Sequence, residues 1–324
     1  MNQDKSSYMM SLKGINALVT GGNGAVGCIL VKRLLDLDAK VTVIDDFSQS
    51  GVGNLPRHPN LIVIKGDITD KKSLSKVFSK KFDYVFHLAA KFANELSVKD
   101  PLEDLRVNIQ GTLQVLLYAS KQEPERFLYT SSSSLYGYQQ NPIINENLMP
   151  NPSTPYATSK LSAEYYCKSI HELYGINYTI VRLSNSYGPY DPPGIYRNVI
   201  PNFFENAMHG KPLTITGTGK ETRDFTFVED CVEGIILAAI KKGGKNETFN
   251  LGTGKETQIR DIAKLILNIT GSKSIIKHKP MRSFDHVKRR KMDVSKARRV
   301  IGYNPSTSIE QGLEKTYEWF LTSR

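Results

Sequence analysis

The chain has 324 residues, 40% of them hydrophobic and 23% charged, which suits one large or two modest globular domains with a sizeable core. No apolar run approaches the ~18 residues that span a membrane, so no membrane span is predicted. The polar N-terminus lacks the apolar stretch of a signal peptide, and residues 1–13 are predicted to be a disordered tail. The net charge of +11 favours an acidic partner, either a polyanion or a phosphate-bearing small molecule, but the basic residues form short clusters without interleaved aromatic residues, so nucleic-acid binding is not specifically indicated.

The cysteine and histidine patterns argue against a metal centre. Cys28, Cys167 and Cys231 are far apart and form no C-x-x-C pair, and the six histidines show no ligand spacing. We therefore predict no metal, no disulfide framework and residence in the cytoplasm.

The first predicted elements form a β-α-β unit. A strand at 15–20 runs into the glycine-rich turn 21–27, an amphipathic helix follows, and a second strand at 40–44 ends at Asp45. Glycines at this turn let the backbone approach a pyrophosphate at the positive end of the helix. Asp45 would hydrogen-bond the adenosine ribose and repel a 2'-phosphate. The unit therefore predicts a dinucleotide cofactor, with NAD favoured over NADP.

The alternation of strands and helices continues along the first half of the chain. Further strands are predicted at 61–64, 84–88, 127–130 and 178–183, with a helix at 101–120. This order predicts an α/β fold with a Rossmann-type doubly wound parallel sheet. In such sheets, ligands bind beyond the carboxyl ends of the strands.

After the last of these strands, a stretch rich in proline and glycine changes the rhythm of the sequence. Shorter elements follow: a helix at 199–209, a strand at 213–216, a helix at 230–241 and two C-terminal helices. We predict an NAD-binding domain over 14–184 with returning segments near 225–250, and a smaller mixed α/β substrate-binding lobe over 185–224 and 251–324.

Tyr156 and Lys160 lie four residues apart at the predicted start of a helix, so they share one helical face. An ammonium beside the phenol stabilises phenolate, which would lower the pKa of Tyr156. The pair therefore indicates a general base that works near neutral pH.

Several short motifs occur together in chain order. They are the glycine-rich turn, His87-Leu88-Ala89-Ala90, Asn108-Ile109-Gln110-Gly111-Thr112, the serine run before Tyr136-Gly137, Tyr156 with Lys160, Asn185-x-Tyr187-Gly188-Pro189, and Arg223-Asp224-Phe225. The ordered set resembles the extended short-chain dehydrogenase/reductase family, in its nucleotide-sugar epimerase/dehydratase group, and looks most like the UDP-glucose 4-epimerase type. The resemblance runs from about residue 14 to the C-terminus.

The resemblance implies roles for individual residues. Tyr156 would be the base, Lys160 would hold the nicotinamide ribose, and Ser132 would share a hydrogen bond with the reacting oxygen. The residues implied to contact NAD are Gly21, Gly24, Ala25, Val26, Gly27, Asp45, Asp46, Phe47, Ser48, Asp67, Ile68, Leu88, Ala89, Ala90, Lys91, Asn108, Tyr156 and Lys160. Those proposed for the substrate are Lys91, Ser132, Ser133, Asn185, Arg197, Val199, Arg223, Arg282 and Asp285.

The two residues after Ser132 narrow the reaction that the resemblance implies. Dehydratases of the group carry Asp-Glu at these positions, and UDP-glucuronate decarboxylases carry Glu at the second, whereas this chain has Ser133 and Ser134. A serine hydroxyl has no pKa suited to general acid–base work. We therefore predict a 4-epimerase that acts on a UDP-hexose or UDP-hexuronate through a transient 4-keto sugar.

Other functions remain open from the sequence. They are a dehydratase, decarboxylase or reductase of the same family, or a non-catalytic NAD- or RNA-binding protein that the charge of +11 alone supports. The family pairs the helices at 101–120 and 156–174 between subunits, so a homodimer is predicted.

Overall fold

A computed structural model describes residues 12–48, 53–92, 94–195, 198–283 and 285–322. The predicted disordered tail lies mostly outside these residues, but its apolar residue Leu12 is fully buried in the core. The packed part of the chain therefore begins before residue 14. None of the described helices combines the length and the apolar character that crossing a membrane requires.

The described strands, in chain order, are β1 (Asn16–Thr20), β2 (Lys40–Asp45), β3 (Leu61–Lys65), β4 (Tyr84–His87), β5 (Arg126–Ser132), β6 (Ile143–Ile144), β7 (Tyr178–Leu183), β8 (Asn185–Tyr187), β9 (Leu213–Thr216), β10 (Thr222–Arg223), β11 (Phe225–Phe227), β12 (Glu247–Leu251), β13 (Thr257–Gln258), β14 (Ile276–Lys279) and β15 (Lys291–Met292).

The described α-helices are α1 (Ala25–Asp36), α2 (Lys71–Val77), α3 (Asn94–Lys99), α4 (Pro101–Leu105), α5 (Thr112–Ser120), α6 (Pro155–Tyr174), α7 (Val199–Met208), α8 (Val228–Ile240), α9 (Ile259–Thr270), α10 (Ser295–Ile301) and α11 (Ile309–Thr322). A π-helical turn spans Arg106–Gly111, and 3₁₀ turns span Ser133–Tyr136 and Lys242–Gly244.

Seven parallel strands form the central sheet in the order β12-β7-β5-β4-β1-β2-β3. The chain winds outward from β1 to β3, then returns to the other side of β1 and winds outward from β4 to β12. The strand order therefore reverses between β1 and β4, which is where a doubly wound sheet opens a crevice at its carboxyl edge. The predicted α/β fold with a parallel sheet is confirmed.

Three clusters of buried side chains cover the sheet and the C-terminal elements. One lies between the sheet and α1, α8 and α10, and the second lies between the sheet and α2, α5 and α6. The third joins α7, α9 and α11 around Phe203, Phe204 and Phe320. Both faces of the sheet are covered, as hydrophobic runs in parallel strands require.

The predicted helix at 101–120 is helical throughout, but a π-helical turn lies between α4 and α5. Asn108 lies in this turn, and its side chain is 1% exposed. Turns of this kind often occur at functional sites. The structure also has α9, α10 and α11 where two C-terminal helices were expected. The seven-residue α10 buries only Ala297 and Ile301, too few for a periodic pattern.

Candidate active site

The glycine-rich turn after β1 brings three pieces of backbone into close contact. Gly21 has φ +70°, and a Cβ there would lie 2.7 Å from the backbone of Ala89, at the end of β4. A Cβ at Gly27 would lie 2.1 Å from the Gly21 carbonyl oxygen. Helix α1 begins directly after Gly24, and no side chain caps its first turn. Its N–H groups at the cleft suit a diphosphate.

Two carboxylates in the same cleft lie at the carboxyl ends of β2 and β3. Asp45 accepts hydrogen bonds from the N–H groups of Asn23, at 2.9 Å, and Phe47, at 2.8 Å, and burial raises its pKa. Carboxylate oxygens accept more than one hydrogen bond, so these contacts leave acceptor capacity for a ribose hydroxyl. Asp67 also lines the cleft and accepts from the Thr69 N–H at 2.8 Å.

Asn108 organises the wall of the cleft from behind. Its amide accepts from the Lys91 N–H at 2.8 Å and donates to the Lys91 carbonyl at 3.1 Å. It also donates to Asp104 at 2.7 Å. These bonds fix the loop whose first residues, Ala89 and Ala90, line the cleft. The structure thus assigns Asn108 a positioning contact, and its direct contact to NAD stays a prediction.

Three side chains predicted to be catalytic meet at the carboxyl end of β5. Ser132 is the last residue of that strand, and its hydroxyl lies close enough to the Tyr156 phenol to lower the pKa of that phenol. Tyr156 is the second residue of α6, and its N–H donates to the Ser97 hydroxyl at 3.0 Å. The Lys160 ammonium donates to the Thr130 carbonyl at 2.9 Å and lies 5.8 Å from the centre of the Tyr156 ring. All three predicted catalytic residues line one cleft.

Burial sets the protonation of this group. It raises the pKa of Tyr156 well above its usual value, while the nearby Ser132 hydroxyl lowers that pKa by a smaller amount. Burial lowers the pKa of Lys160 to about 8, and the carboxylates of Asp104 and Glu164 oppose that change. The predicted net lowering of the Tyr156 pKa by Lys160 is therefore wrong for the chain's own groups, because desolvation of the phenol dominates.

Comparison with known proteins agrees with this geometry. The family model described as the NAD dependent epimerase/dehydratase family matches residues 17–252. The chain is 33% identical to a UDP-glucose 4-epimerase from Mycolicibacterium smegmatis, over 94% of this chain and 98% of that protein. It is also 33% identical to a UDP-N-acetyl-alpha-D-glucosaminuronate decarboxylase from Bacillus cytotoxicus, over 94% of this chain and 97% of that protein. A solved epimerase from Methanothermobacter thermautotrophicus superposes with a TM-score of 0.94 and 40% identity, covering 98% of this chain and 95% of that chain.

The chain belongs to the NAD-dependent epimerase/dehydratase family. The predicted family and its cofactor class are confirmed. The cleft also fits a dinucleotide on its own geometry, because the turn at Gly21 and Gly27 leaves no room for side chains beside the helix N-terminus. In addition, the buried Ser131 hydroxyl lines the cleft without a hydrogen-bond partner.

Most residues predicted to bind the family's cofactor line this cleft. Phe47, Lys91 and Asn108 are the exceptions. The predicted residues in the lining are Gly21, Gly24, Ala25, Val26, Gly27, Asp45, Asp46, Ser48, Asp67, Ile68, Leu88, Ala89, Ala90, Tyr156 and Lys160.

Lys91 lies at the acidic rim of the cleft. Its ammonium is 3.3 Å from the Ser48 hydroxyl, 3.9 Å from Glu103 and 4.0 Å from Asp46. The family resemblance implied that Lys91 contacts both NAD and the substrate. In this structure the ammonium lies between the carboxylates of Asp46 and Glu103.

The predicted substrate residues are less concentrated. Arg223 forms an ion pair with Asp285 at 3.2 Å and donates to the Val287 carbonyl at 2.9 Å. Arg282 does not join them, because it pairs with Glu95 at 3.0 Å. Ser132 lines the cleft. The other described members of this set do not: Lys91, Ser133, Asn185, Val199, Arg223, Arg282 and Asp285. Arg197 lies outside the described residues.

Several polar and loop residues in the lining of the cleft were not among the predicted site residues. Thr130, Ser131 and Ser184 belong to or follow strands of the central sheet, so their position near its carboxyl edge was the available signal. The others lie between β7 and α7. The family motif had already included Tyr187, Gly188 and Pro189, and the rest are Ser186, Asp191 and Asn198.

Arg290 is a second residue that the sequence did not distinguish. It is 8% exposed, and its guanidinium donates to the Gly137 carbonyl at 3.0 Å. Burial lowers its pKa to about 9, and the nearby Arg223 adds to that effect. The burial of Arg290 was not predicted, because it lies within a basic run and such runs usually lie at the surface.

Proposed function

We propose that the protein is an NAD-dependent nucleotide-sugar 4-epimerase that acts on a UDP-hexose or UDP-hexuronate. The observation that carries the proposal is the Ser132–Tyr156–Lys160 group at the cleft, followed by serines at 133 and 134. Ser133 is 4% exposed and Ser134 belongs to a 3₁₀ turn, with its N–H donating to the Ser132 hydroxyl at 3.1 Å. These two positions supply no carboxylate for elimination.

The roles of the catalytic residues follow from their contacts. Tyr156 accepts the proton of the sugar hydroxyl, since its phenol is the group in the cleft that can ionise beside a cation. Ser132 holds the reacting oxygen by a hydrogen bond shared with that phenol. Protonated Lys160 favours the phenolate form electrostatically. NAD bound in the cleft would accept a hydride from the sugar carbon and return it.

The placement of carboxylates supports epimerisation over elimination. Among the described residues that line the cleft, Asp45, Asp46 and Asp67 lie at the adenosine end. Asp191 lies on the opposite wall, where the Asn198 amide donates to it at 3.1 Å. A 4-epimerase needs one base and a pocket that admits both faces of the keto sugar, whereas a dehydratase needs a further acid and base.

The substrate's nucleotide diphosphate would lie beyond the sugar. We assign Arg223, Asp285, Asn185 and Val199 to this half, whereas Arg282, Lys91, Ser132, Ser133 and Arg197 belong only to the wider predicted set. A guanidinium makes bidentate contacts to phosphate, which is why Arg223 is the strongest of these assignments. UDP is the first nucleotide to test, because both relatives compared above act on UDP-sugars.

Product analysis tests the proposal. Purified protein is incubated with UDP-glucose, UDP-galactose and their glucuronate and N-acetyl relatives, and products are separated by chromatography. We expect interconversion of C4 epimers without added NAD. Release of a 4-keto-6-deoxy sugar would indicate a dehydratase, and release of carbon dioxide a decarboxylase, which the second relative makes the main alternative. A requirement for stoichiometric NADPH would indicate a reductase.

We further propose that the protein is a homodimer in the cytoplasm. Leu102 and Leu105 on α4 and Tyr165 on α6 are exposed apolar residues, and α4 contacts α6. They support the predicted homodimer, which light scattering tests, with Leu102→Glu expected to yield monomer. Leu116, by contrast, is fully buried in the subunit core. All three cysteines are free and buried, as suits the cytoplasm.

A further inference from the structure

Asp104 on α4 is a buried carboxylate that the proposed mechanism does not use. Its side chain is 2% exposed. One oxygen accepts from the Asn108 amide at 2.7 Å and the other from the Ser159 hydroxyl at 2.5 Å. Both donors are neutral, and no cation lies within ion-pair distance of Asp104 in the described part of the chain. A buried charge in this setting requires an electrostatic explanation.

Lys160 is a buried charge of opposite sign on a helix that packs against that of Asp104. Its side chain is 3% exposed and its ammonium donates to the Thr130 carbonyl, which is a neutral acceptor. Helix α4, which carries Asp104, packs against α6, which carries Lys160. Ser159, the residue before Lys160, holds the Asp104 carboxylate toward this helix.

The other titratable groups that face Lys160 contribute less charge. Glu164, one turn along α6, is neutralised by Arg182, which bonds it at 2.7 and 2.9 Å. His87 on β4 is neutral, because burial lowers its pKa to about 3. Tyr129 on β5 is neutral, because burial raises its pKa. Asp104 is therefore the principal uncompensated negative charge beside the ammonium.

Asp104 acts on both members of the proposed catalytic pair. Its charge raises the pKa of Lys160 against the effect of burial, and it also raises the pKa of Tyr156. Both changes have the same sign, because a negative charge favours the protonated form of every nearby group.

We propose that Asp104 is a positioning residue whose negative charge keeps Lys160 protonated next to Tyr156. Through the Asn108 amide, the same carboxylate also holds the loop that carries Ala89 and Ala90. The inference rests on the proposed function for the roles of Tyr156 and Lys160. It adds a charge on a separate helix that sets the pH range in which that pair works.

The variant Asp104→Asn tests the charge with little change in shape. The new amide oxygen can accept from Asn108, and the new NH₂ can donate to the Ser159 hydroxyl. We expect both limbs of the pH profile of kcat/KM to move to lower pH by about one unit, which is the scale of a nearby charge. Both limbs move in the same direction because removal of the negative charge lowers the pKa of Tyr156 and also that of Lys160.

Two further variants separate charge from packing. Ser159→Ala removes a hydrogen bond to Asp104 but keeps the carboxylate, so its limbs should stay at the wild-type pH. Asp104→Glu keeps the charge, so both limbs of its pH profile should lie at the wild-type pH even if its maximal kcat/KM is lower. A profile of Asp104→Asn that is lowered without moving along the pH axis would overturn the proposal, because it would show a structural role alone.

A measurement independent of turnover follows Lys160 directly. In protein labelled with ¹³C at the lysine ε-carbon, the Lys160 signal is identified by its loss in Lys160→Met, and its titration midpoint is measured by NMR. We expect a lower midpoint in Asp104→Asn than in the wild type. An unchanged midpoint would overturn the proposal. A lowered midpoint in a protein that shows no epimerase activity would support the charge coupling and remove the proposed function instead.

Discussion

The proposed cofactor and substrate halves of the site rely on different parts of the chain. The cofactor half depends on backbone: a turn at Gly21 and Gly27 with no space for a Cβ, and a helix whose first turn faces the cleft. The substrate half that we propose depends on long charged side chains that pair with one another, such as Arg223 with Asp285, which lie outside the lining of the cleft. Backbone geometry tolerates few alternatives, whereas paired side chains can exchange partners. A shared cofactor and a variable substrate across one family are consistent with that difference.

The largest expected loss of turnover comes from substitution of Tyr156, which we place between the two halves. Tyr156→Phe removes the phenol oxygen but keeps the ring, which packs edge-on against Phe92. We expect turnover to fall by about 10²–10⁴-fold, the usual contribution of a general acid–base group. NAD binding, measured by fluorescence titration, should stay near wild type, since the backbone half is untouched. Turnover close to wild type would remove Tyr156 from the mechanism.

The backbone half is tested at Gly27. Gly27→Ala would place a methyl 2.1 Å from the Gly21 carbonyl oxygen, so the turn must shift. Overpacking of this kind costs about 1–3 kcal/mol. We expect a lower unfolding temperature and loss of NAD binding. Gly24→Ala is the matched control for the unfolding temperature, because its methyl would approach the same oxygen only to 3.4 Å. Equal losses in both variants would contradict the packing argument.

The substrate half is tested at Arg223. Its guanidinium is 14% exposed and already pairs with Asp285. Charge-assisted hydrogen bonds contribute about 1.5–3 kcal/mol, so Arg223→Gln should raise KM by about 10- to 100-fold with kcat little changed. The matched control is Arg282→Gln. Because Arg282 pairs with Glu95 at an exposed site, we expect a change below about threefold. A rise in KM as large as that of Arg223→Gln would instead show that Arg282 contacts the substrate, as the resemblance implied.

The same division explains how much could be predicted from the sequence. The sheet, the glycine turn and the meeting of Ser132, Tyr156 and Lys160 rest on periodicity and on the rule that strand ends share an edge, and these are local signals. The partner of Arg282 and the burial of Arg290 depend on contacts between distant segments, which no spacing encodes. The π-helical turn that contains Asn108 lay within a continuous helical pattern and was missed for that reason.

The smallest expected effect is on NAD binding and comes from substitution of Lys91, at the outer edge of the proposed cofactor half. Its ammonium is 3.9 and 4.0 Å from two partly exposed carboxylates, and such contacts contribute at most about 1 kcal/mol. We therefore expect Lys91→Met to weaken NAD binding less than about threefold, by a margin that shrinks further at high salt. The main contribution of this position is its backbone, which Asn108 holds through two hydrogen bonds that any side chain would leave intact. A tenfold or greater loss of NAD affinity would instead indicate a direct phosphate contact, and would mean that this side chain exchanges partners in the way proposed for the substrate half.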